Sequence, residues 1–420
     1  MNIAFICDLG HASPRVIGLA NSLANLGHSI SIFTPEMSLR QKKYIGVPFT
    51  PLWNLVDTKG FPMIYRRFPG YSRILRKLLS TTFEMFTKIR ISLSKRKIPR
   101  FIESSAWEDE HQDWYPYLYP LFKNLHSQDS FDFVISSSSP FSTHKIASLL
   151  SQEFSIKWVA DYRDLWSQNY IQSGGPTLDQ EQYEIKILEN CTAATTVSSE
   201  TRYLLSKIYS GPIEIIYNGY LSKQEFNPKT IQEEFVVLYV GGIYLASQDL
   251  EEFLRTVTEH NKTTGVNIHV KIQFLGDSAI TVAKLYNSWK LDVPDWINLI
   301  KAVSRTESYN LQSKADALLM LEWNDNSQKG ILRTKMFEYL STLKPIISYG
   351  GSFDESYVIQ RDAGTSIFLQ NSQELSAFLS SLRLNEHLEL SPNLEYISQF
   401  SYQYQGKRLS NFLESLGAQK

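Results

Sequence analysis

Residues 2–35, NIAFICDLGHASPRVIGLANSLANLGHSISIFTP, decide the architecture. NIAFICD is a continuous apolar run of strand length. Val16, Leu19, Leu23 and Leu26 then recur at helical spacing and stop at Gly27, and SISIFTP is a second apolar run. Strand, helix and strand make a βαβ unit, whose two strands are parallel and whose sheet is covered on both faces. GHASPR, residues 10–15, reads as the loop after the first strand. It lacks GxGxxG, which argues against a nicotinamide dinucleotide site there.

The pattern continues outward. After a less regular stretch over residues 40–130, FDFVISSSS, IKWVAD, AATTVSS and IEIIYNG read as strands, separated by the helical segments THKIASLLSQEF, EQYEIKILENC and ETRYLLSKIY. A first domain over residues 1–217 follows. The polar segment YLSKQEFNPKTIQEE, residues 220–234, reads as a linker. The alternation then restarts with FVVLYVGG, VNIHVKIQFLGD, DALLMLEW and KPIISYGG as strands, giving a second Rossmann-like domain over 218–400. Two such domains face a cleft, with ligands at the carboxyl ends of the strands.

Composition narrows the class. The chain has 420 residues, 43% of them hydrophobic and 20% charged, with net charge -1, so nothing draws it as a whole to nucleic acid. Its two cysteines, Cys7 and Cys191, form no CxxC pair, which fits a reducing compartment. The opening MNIAFICDLGH has no basic stretch before a long apolar one, and no run of about 18 apolar residues occurs, so a cytoplasmic protein is expected. Residues 65–100 hold eleven Lys or Arg and one acid, Glu84, interleaved with Leu, Ile, Phe and Met. Such a surface is expected to dock reversibly on an anionic membrane, the inner face of the plasma membrane, at about 1 kcal/mol per cation. The rival is a solvated helix face. No nucleic-acid motif accompanies the charge.

The stretch with most chemistry is GILRTKMFEYL, residues 330–340. A helix starting near Thr334 offers unpaired backbone N–H groups and the positive end of its dipole. Gly330 admits close backbone approach, and Arg333 and Lys335 add cations. Together these are the parts of a diphosphate cradle. Glu338, one turn on, is placed to accept from a ribose diol. Ordinary α/β packing explains the same residues.

This segment resembles the donor signature of GT-B glycosyltransferases, in particular the retaining glycosyltransferase family 4, where two glutamates stand eight positions apart. Glu338 matches the second, which binds ribose in the family; Gly330 stands where the first helps hold the donor sugar. SPRVIGLANSLANLGHSISIFTP, the SSSSPF to DYRDLW stretch, IIYNGY, FVVLYVGGIY, IQFLGD and LLMLE fit the family's other segments in order, over nearly the whole chain. The resemblance implies an α/β GT-B fold of two Rossmann-like domains, with a closing helix over about 401–420 that crosses back to the first. It implies a retaining hexosyl transfer, without metal and without a resident cofactor. The donor would be a UDP- or GDP-linked sugar, and the acceptor a glycan or lipid-linked glycan of surface polysaccharide synthesis. Gly241 would face the donor. Gly242 stands where the family has an arginine and Gln248 near its lysine, so Arg333 and Lys335 are expected to supply the missing charge.

Acceptor contacts are expected from the loops holding His11, His144 and the DYRDLW motif. In it Asp161 would activate the acceptor hydroxyl, and Arg163 and Asp164 would bind the acceptor. A buried Asp–Arg pair that merely fixes the loop explains Asp161 equally well, and a lone histidine such as His11 or His144 is more often core or surface. Metal-ligand spacing is absent; the acidic stretch from Asp109 to Asp113 reads as a surface loop. Two alternatives stay open. One is a degenerate scaffold, supported by Gly330 and Gly242; the other is a sugar-nucleotide epimerase, which needs more acid–base groups in the cleft.

Overall fold

The computed structural model describes residues 1–35, 54–58, 109, 111, 113–169, 178–221, 230–263, 268–324 and 330–418. The basic segment 65–100 lies outside them. In order, the first domain holds β1 (Asn2–Ile6), α1 (Leu9–Asn25), β2 (Ser29–Pro35), β3 (Asn54–Thr58), α2 (Tyr115–Gln128), β4 (Phe133–Ser138), α3 (Ser142–Phe154), β5 (Lys157–Tyr162), α4 (Leu178–Leu188), β6 (Ala193–Thr196), α5 (Ser199–Leu205) and β7 (Ile213–Ile215). The second holds β8 (Glu234–Val240), α6 (Leu250–Lys262), β9 (His269–Leu275), α7 (Asp277–Ser288), β10 (Ile297–Ile300), α8 (Arg305–Lys314), β11 (Ala317–Leu321), α9 (Thr334–Thr342), β12 (Ile346–Tyr349), α10 (Glu355–Ala363), β13 (Ser366–Leu369), α11 (Ser372–Ser381) and α12 (Leu394–Ser398). The long α13 (Tyr402–Ala418) closes the chain.

Both sheets are wholly parallel among the described strands. The first runs β3-β2-β1-β4-β5-β6-β7 and the second β10-β9-β8-β11-β12-β13. Each reverses strand order once, between β1 and β4 and between β8 and β11. Crevices open outside the carboxyl ends of such strand pairs, so the fold alone places two half-sites there.

Strand alternation explains why both faces are dry. Along β1, Ile3 and Phe5 join one core with α1 and α13, while Ala4 and Ile6 join another with α2 and α3. Along β8, Phe235, Val237 and Tyr239 face one core, and Leu238 packs with Phe337 and Leu340 of α9 on the other. At roughly 1.5–3 kcal/mol per fully buried large apolar side chain, these layers dominate the folding free energy.

GHASPR is not the expected loop. Asp8 caps α1 by accepting from the Gly10 N–H at 2.8 Å, so the helix starts at Leu9 and takes in Pro14. The helix start at Asp8 outweighs the proline's lost hydrogen bond.

The chain crosses between domains at residues 218–221 and again at 399–402. The crossings are tied by a parallel bridge: the Tyr220 N–H donates to Phe400 O at 3.1 Å, and the Tyr402 N–H to Tyr220 O at 3.0 Å. The second crossing delivers α13 to α1. Leu409, Leu413 and Leu416 enter the first domain's core, and Ser410 Oγ lies 2.7 Å from His28 Nε2.

Candidate active site

In the first half-site, the residues at the sheet reversal are mostly committed to one another. Asp161, at the end of β5, is 2% exposed. Its Oδ1 accepts from Arg15 Nη2 at 2.7 Å and Thr195 Oγ1 at 2.7 Å; its Oδ2 accepts from Arg15 Nε at 3.0 Å and Ser137 Oγ at 2.7 Å. Burial pushes its carboxyl up, but Arg15 and the two hydroxyls outweigh that and hold it below the usual carboxylate range. A buried carboxylate with this many donors is a poor proton acceptor. Its partner is Arg15 of α1, which also donates to Tyr217 O at 3.0 Å, rather than the neighbouring Arg163. The expected acceptor-activating role therefore gives way to a structural one: Asp161 ties α1 to β4, β5 and β6.

His144 is corrected likewise. It is fully buried in α3, its ring 4.6 Å from Tyr162 and 6.1 Å from Trp158, with Nδ1 2.7 Å from Ser136 Oγ. Burial drives its pKa down to about 3, so it stays neutral at physiological pH. It is sealed from solvent and stays an uncharged imidazole at working pH.

His11 lies in the first turn of α1; its side chain is outside the described residues. Arg163 is half-buried and donates from Nη2 to Ser139 O at 2.5 Å, bracing the loop after β4. Asp164 is exposed just beyond the carboxyl end of β5. Of the expected acceptor residues with described side chains, it alone presents an exposed carboxylate at the mouth. Trp166 stacks on Phe141 at 5.1 Å and belongs to the core.

Sequence reading missed a second buried polar pair, a carboxylate against an imidazole. Asp8, directly after β1, meets His111 Nε2 at 3.2 Å, both about 2% exposed or less. Asp109 accepts from the His111 N–H at 2.9 Å and from the Ser142 N–H at 2.7 Å, pinning this segment to the start of α3. Asp109 and His111, in the stretch expected as a surface loop, thus lie against the switch point, while Asp113 is exposed as expected. The buried Trp114, whose Nε1 donates to Thr58 Oγ1 at 2.7 Å, was the available signal.

In the second half-site, Arg333 is the residue before α9 and Lys335 lies in its first turn. Arg333 pairs with Glu322, at the end of β11, and donates to Leu321 O. Its guanidinium lies 5.8 Å from the Trp323 ring, itself 5.0 Å from Tyr244. Lys335 Nζ is buried without a hydrogen-bond partner, 3.6 Å from the centroid of Tyr239. Burial pushes its ammonium well below the ordinary range, and Arg333 adds to this. Across from them, Gly241 turns the chain at φ +96°, and no atom lies within 4 Å of a Cβ built on Gly241 or Gly242. Arg333, Thr334, Lys335, Gly241 and Gly242 are thus brought to one end of one sheet. Gln248 is not a substitute cation there: its amide donates to Leu321 O at 2.6 Å and accepts from the Tyr244 N–H at 2.9 Å. Glu338 pairs with Arg305 at the start of α8.

Gly330 departs from its expected role. At φ +83°, its missing Cβ would stand 2.5 Å from Glu200 Cβ and 3.1 Å from Ser198 Oγ, at the start of α5 in the other domain. The glycine lets the two domains touch rather than letting a ligand approach. A second tie lies beside it: Glu355 accepts from the Ser199 N–H at 2.8 Å and from Tyr217 OH at 2.8 Å.

No group of three or more His, Cys, Asp or Glu side chains able to hold a metal ion occurs among the described residues.

No family model and no curated protein sequence matches the chain. Solved structures do. Sucrose-phosphate synthase from Thermosynechococcus elongatus superposes at a TM-score of 0.65 with 15% identity, over 100% of both chains. HepE from Anabaena in complex with UDP-glucose superposes at 0.55 with 10% identity, over 100% of this chain and 98% of that one. UDP-GlcNAc 2-epimerase from Methanocaldococcus jannaschii superposes at 0.54 with 11% identity, over 99% and 100%. At these identities the likeness establishes the fold: two parallel α/β domains of the GT-B type.

Proposed function

We propose that the chain is a glycosyltransferase that takes a sugar from a UDP- or GDP-linked donor held by the second domain. The observation that carries this reading is the pairing of Arg333 and Lys335 at the start of α9 with the unfilled Gly241–Gly242 turn. A helix start with two basic side chains and open backbone opposite suits a diphosphate. The names of the HepE complex and the epimerase, both involving a UDP-sugar, agree with such a ligand. Glu338 would face the ribose once Arg305 yields one carboxylate oxygen.

The acceptor, a glycan or lipid-linked glycan of surface polysaccharide synthesis, would enter from the first domain past Asp164. Its hydroxyl oxygen would bond to the anomeric carbon as the carbon–phosphate oxygen bond breaks on the same face. The hydroxyl proton would pass to the departing phosphate, since Asp161 is occupied. The leaving charge would be met by α9 and its two cations, without metal. Residues 65–100 would hold the enzyme to the inner face of the plasma membrane. No described helix is long and apolar enough to cross a membrane.

Calorimetry and thermal-shift measurements with UDP, GDP and their common sugar conjugates test the donor site. Saturation at 100 times Kd stabilises the fold by about 2.7 kcal/mol, and Glu338→Ala is expected to weaken the binding. No shift with any nucleotide at millimolar levels would reject the donor site and favour a scaffold. The likeness to the epimerase supports a second reading, which requires turnover of the nucleotide sugar without acceptor.

Gly242→Arg is a sharper probe. The position has an ordinary φ and open space, so an arginine fits without strain. One added charge-assisted contact at an exposed site is expected to tighten nucleotide-sugar binding by about 1 kcal/mol, roughly fivefold. Unchanged or weaker affinity in a calorimetric titration would place the diphosphate elsewhere.

A further inference from the structure

We propose that Lys335 is a stored amine: it rests uncharged on the Tyr239 ring in the unliganded protein and takes up one proton as the donor's diphosphate arrives. This rests on the donor-site reading above and adds to it a coupling between donor binding and pH.

Among the described residues, two charges act on Lys335, those of Arg333 and Glu322. Arg333 lies two residues before it, Glu322 faces it from the end of β11, Tyr239 from β8, and Tyr339 stands one turn further along α9. Glu322 is the one anion in this set, and it is taken. Arg333 holds its Oε2, and its Oε1 accepts from Gln360 Nε2 at 2.7 Å and from the Ser348 and Ser356 hydroxyls at 3.3 and 3.4 Å. Tyr339 OH accepts from the Val240 N–H at 2.9 Å, and Tyr239 OH donates to Gly242 O at 2.7 Å. Arg333 therefore balances Glu322, and a charged Lys335 would be a second, unmatched cation out of water.

Such a group sheds its proton more easily than a solvated lysine. The Tyr239 face can hold an amine N–H but supplies no counter-charge. The lysine's stem is only half-buried and flexible, so the amine can leave the ring for an anion at the start of α9. Two phosphate charges there favour the ammonium, which raises the lysine's proton affinity. Binding then draws a proton from solvent wherever the unliganded amine is neutral.

The test is calorimetry with UDP-glucose and GDP-mannose, whose diphosphates are doubly esterified and exchange no proton near neutrality. Titrations between about pH 7.5 and 8.5, well below the ordinary lysine value of about 10.4, are run in HEPES and in Tris, which differ in ionisation enthalpy and add no phosphate. The expected result is an uptake close to one proton per nucleotide sugar, with affinity falling about tenfold per pH unit over that range. Lys335→Arg, whose guanidinium stays charged, should bind with no uptake and a flat profile. Lys335→Met should bind more weakly, also with no uptake. Binding to the wild-type protein with zero uptake, or equal uptake by the Arg variant, overturns the stored amine and leaves the donor site standing. Absence of binding by either sugar nucleotide at millimolar levels overturns both.

Discussion

Asp161→Ala is expected to destabilise the protein by about 3–5 kcal/mol, because it leaves the Arg15 guanidinium buried without a counter-charge. Arg15 is itself 2% exposed, and its remaining contacts are neutral oxygens of Tyr217 and Asn218. Ser137 and Thr195 lose their acceptor as well. Denaturant unfolding of four proteins resolves the role: wild type, Asp161→Ala, Arg15→Met and the double variant Arg15→Met/Asp161→Leu. Each single change should cost similar free energy, and the double change should recover most of it, since an apolar pair of similar volume can replace a buried ion pair. A catalytic base would behave otherwise: Asp161→Asn would keep full stability and lose rate, and Arg15→Met would leave stability unchanged.

The same pair sets a pH dependence. The folded carboxyl titrates below its ordinary value of 3.8, so its stabilisation is complete above that value. It is lost as pH falls through the lower, folded value, where the native state also takes up the proton. Acid unfolding of Arg15→Met should begin at higher pH than that of the wild type.

Gly330→Glu is the second large effect, and it runs against intuition, since it installs the glutamate that the resembling family carries. The backbone at φ +83° costs a non-glycine residue about 1–3 kcal/mol. The new Cβ would also meet Glu200 Cβ at 2.5 Å, an atom next to the backbone that cannot swing away. The added carboxylate would join Glu200 and Glu355 in one seam. A total of upwards of about 2 kcal/mol is expected, with a lower melting temperature and a larger radius of gyration in solution scattering as the domains part. Gly330→Ala should show most of the loss. An unchanged melting temperature together with faster sugar transfer would mean that Gly330 faces the donor after all. The contrast with Gly242 is instructive: both glycines stand where the family has a charged residue, but only Gly242 has room for one.

Much of the fold was legible along the chain. Parallel strands buried on both faces appear as unbroken apolar runs, as in NIAFI and ALLML, and α9 shows its apolar face at Met336, Phe337 and Leu340. The start of α1 was not, because the Asp8 side chain overrides the local preference of Gly10 and Pro14. The sites divide along the same line. Arg333 and Lys335 were legible because a helix start brings sequence neighbours together. Asp161 read equally well as a base or as a buried tie, because its partners, Arg15, Ser137 and Thr195, come from three other elements. Asp8 and His111 lie 103 positions apart (111 − 8) and carry no local signal of their meeting.

By itself, then, the amino-acid sequence determined the alternation of strands and helices, the two-domain division and the cations at α9, since periodicity and neighbour spacing are local properties of the chain. Only the tertiary structure decided which charges are spent and which remain available. Burial and pairing depend on residues that the parallel crossovers carry together. That is why Asp161 proves to be a tie, Gly330 a point of domain contact, and Lys335 a buried amine still without an anion.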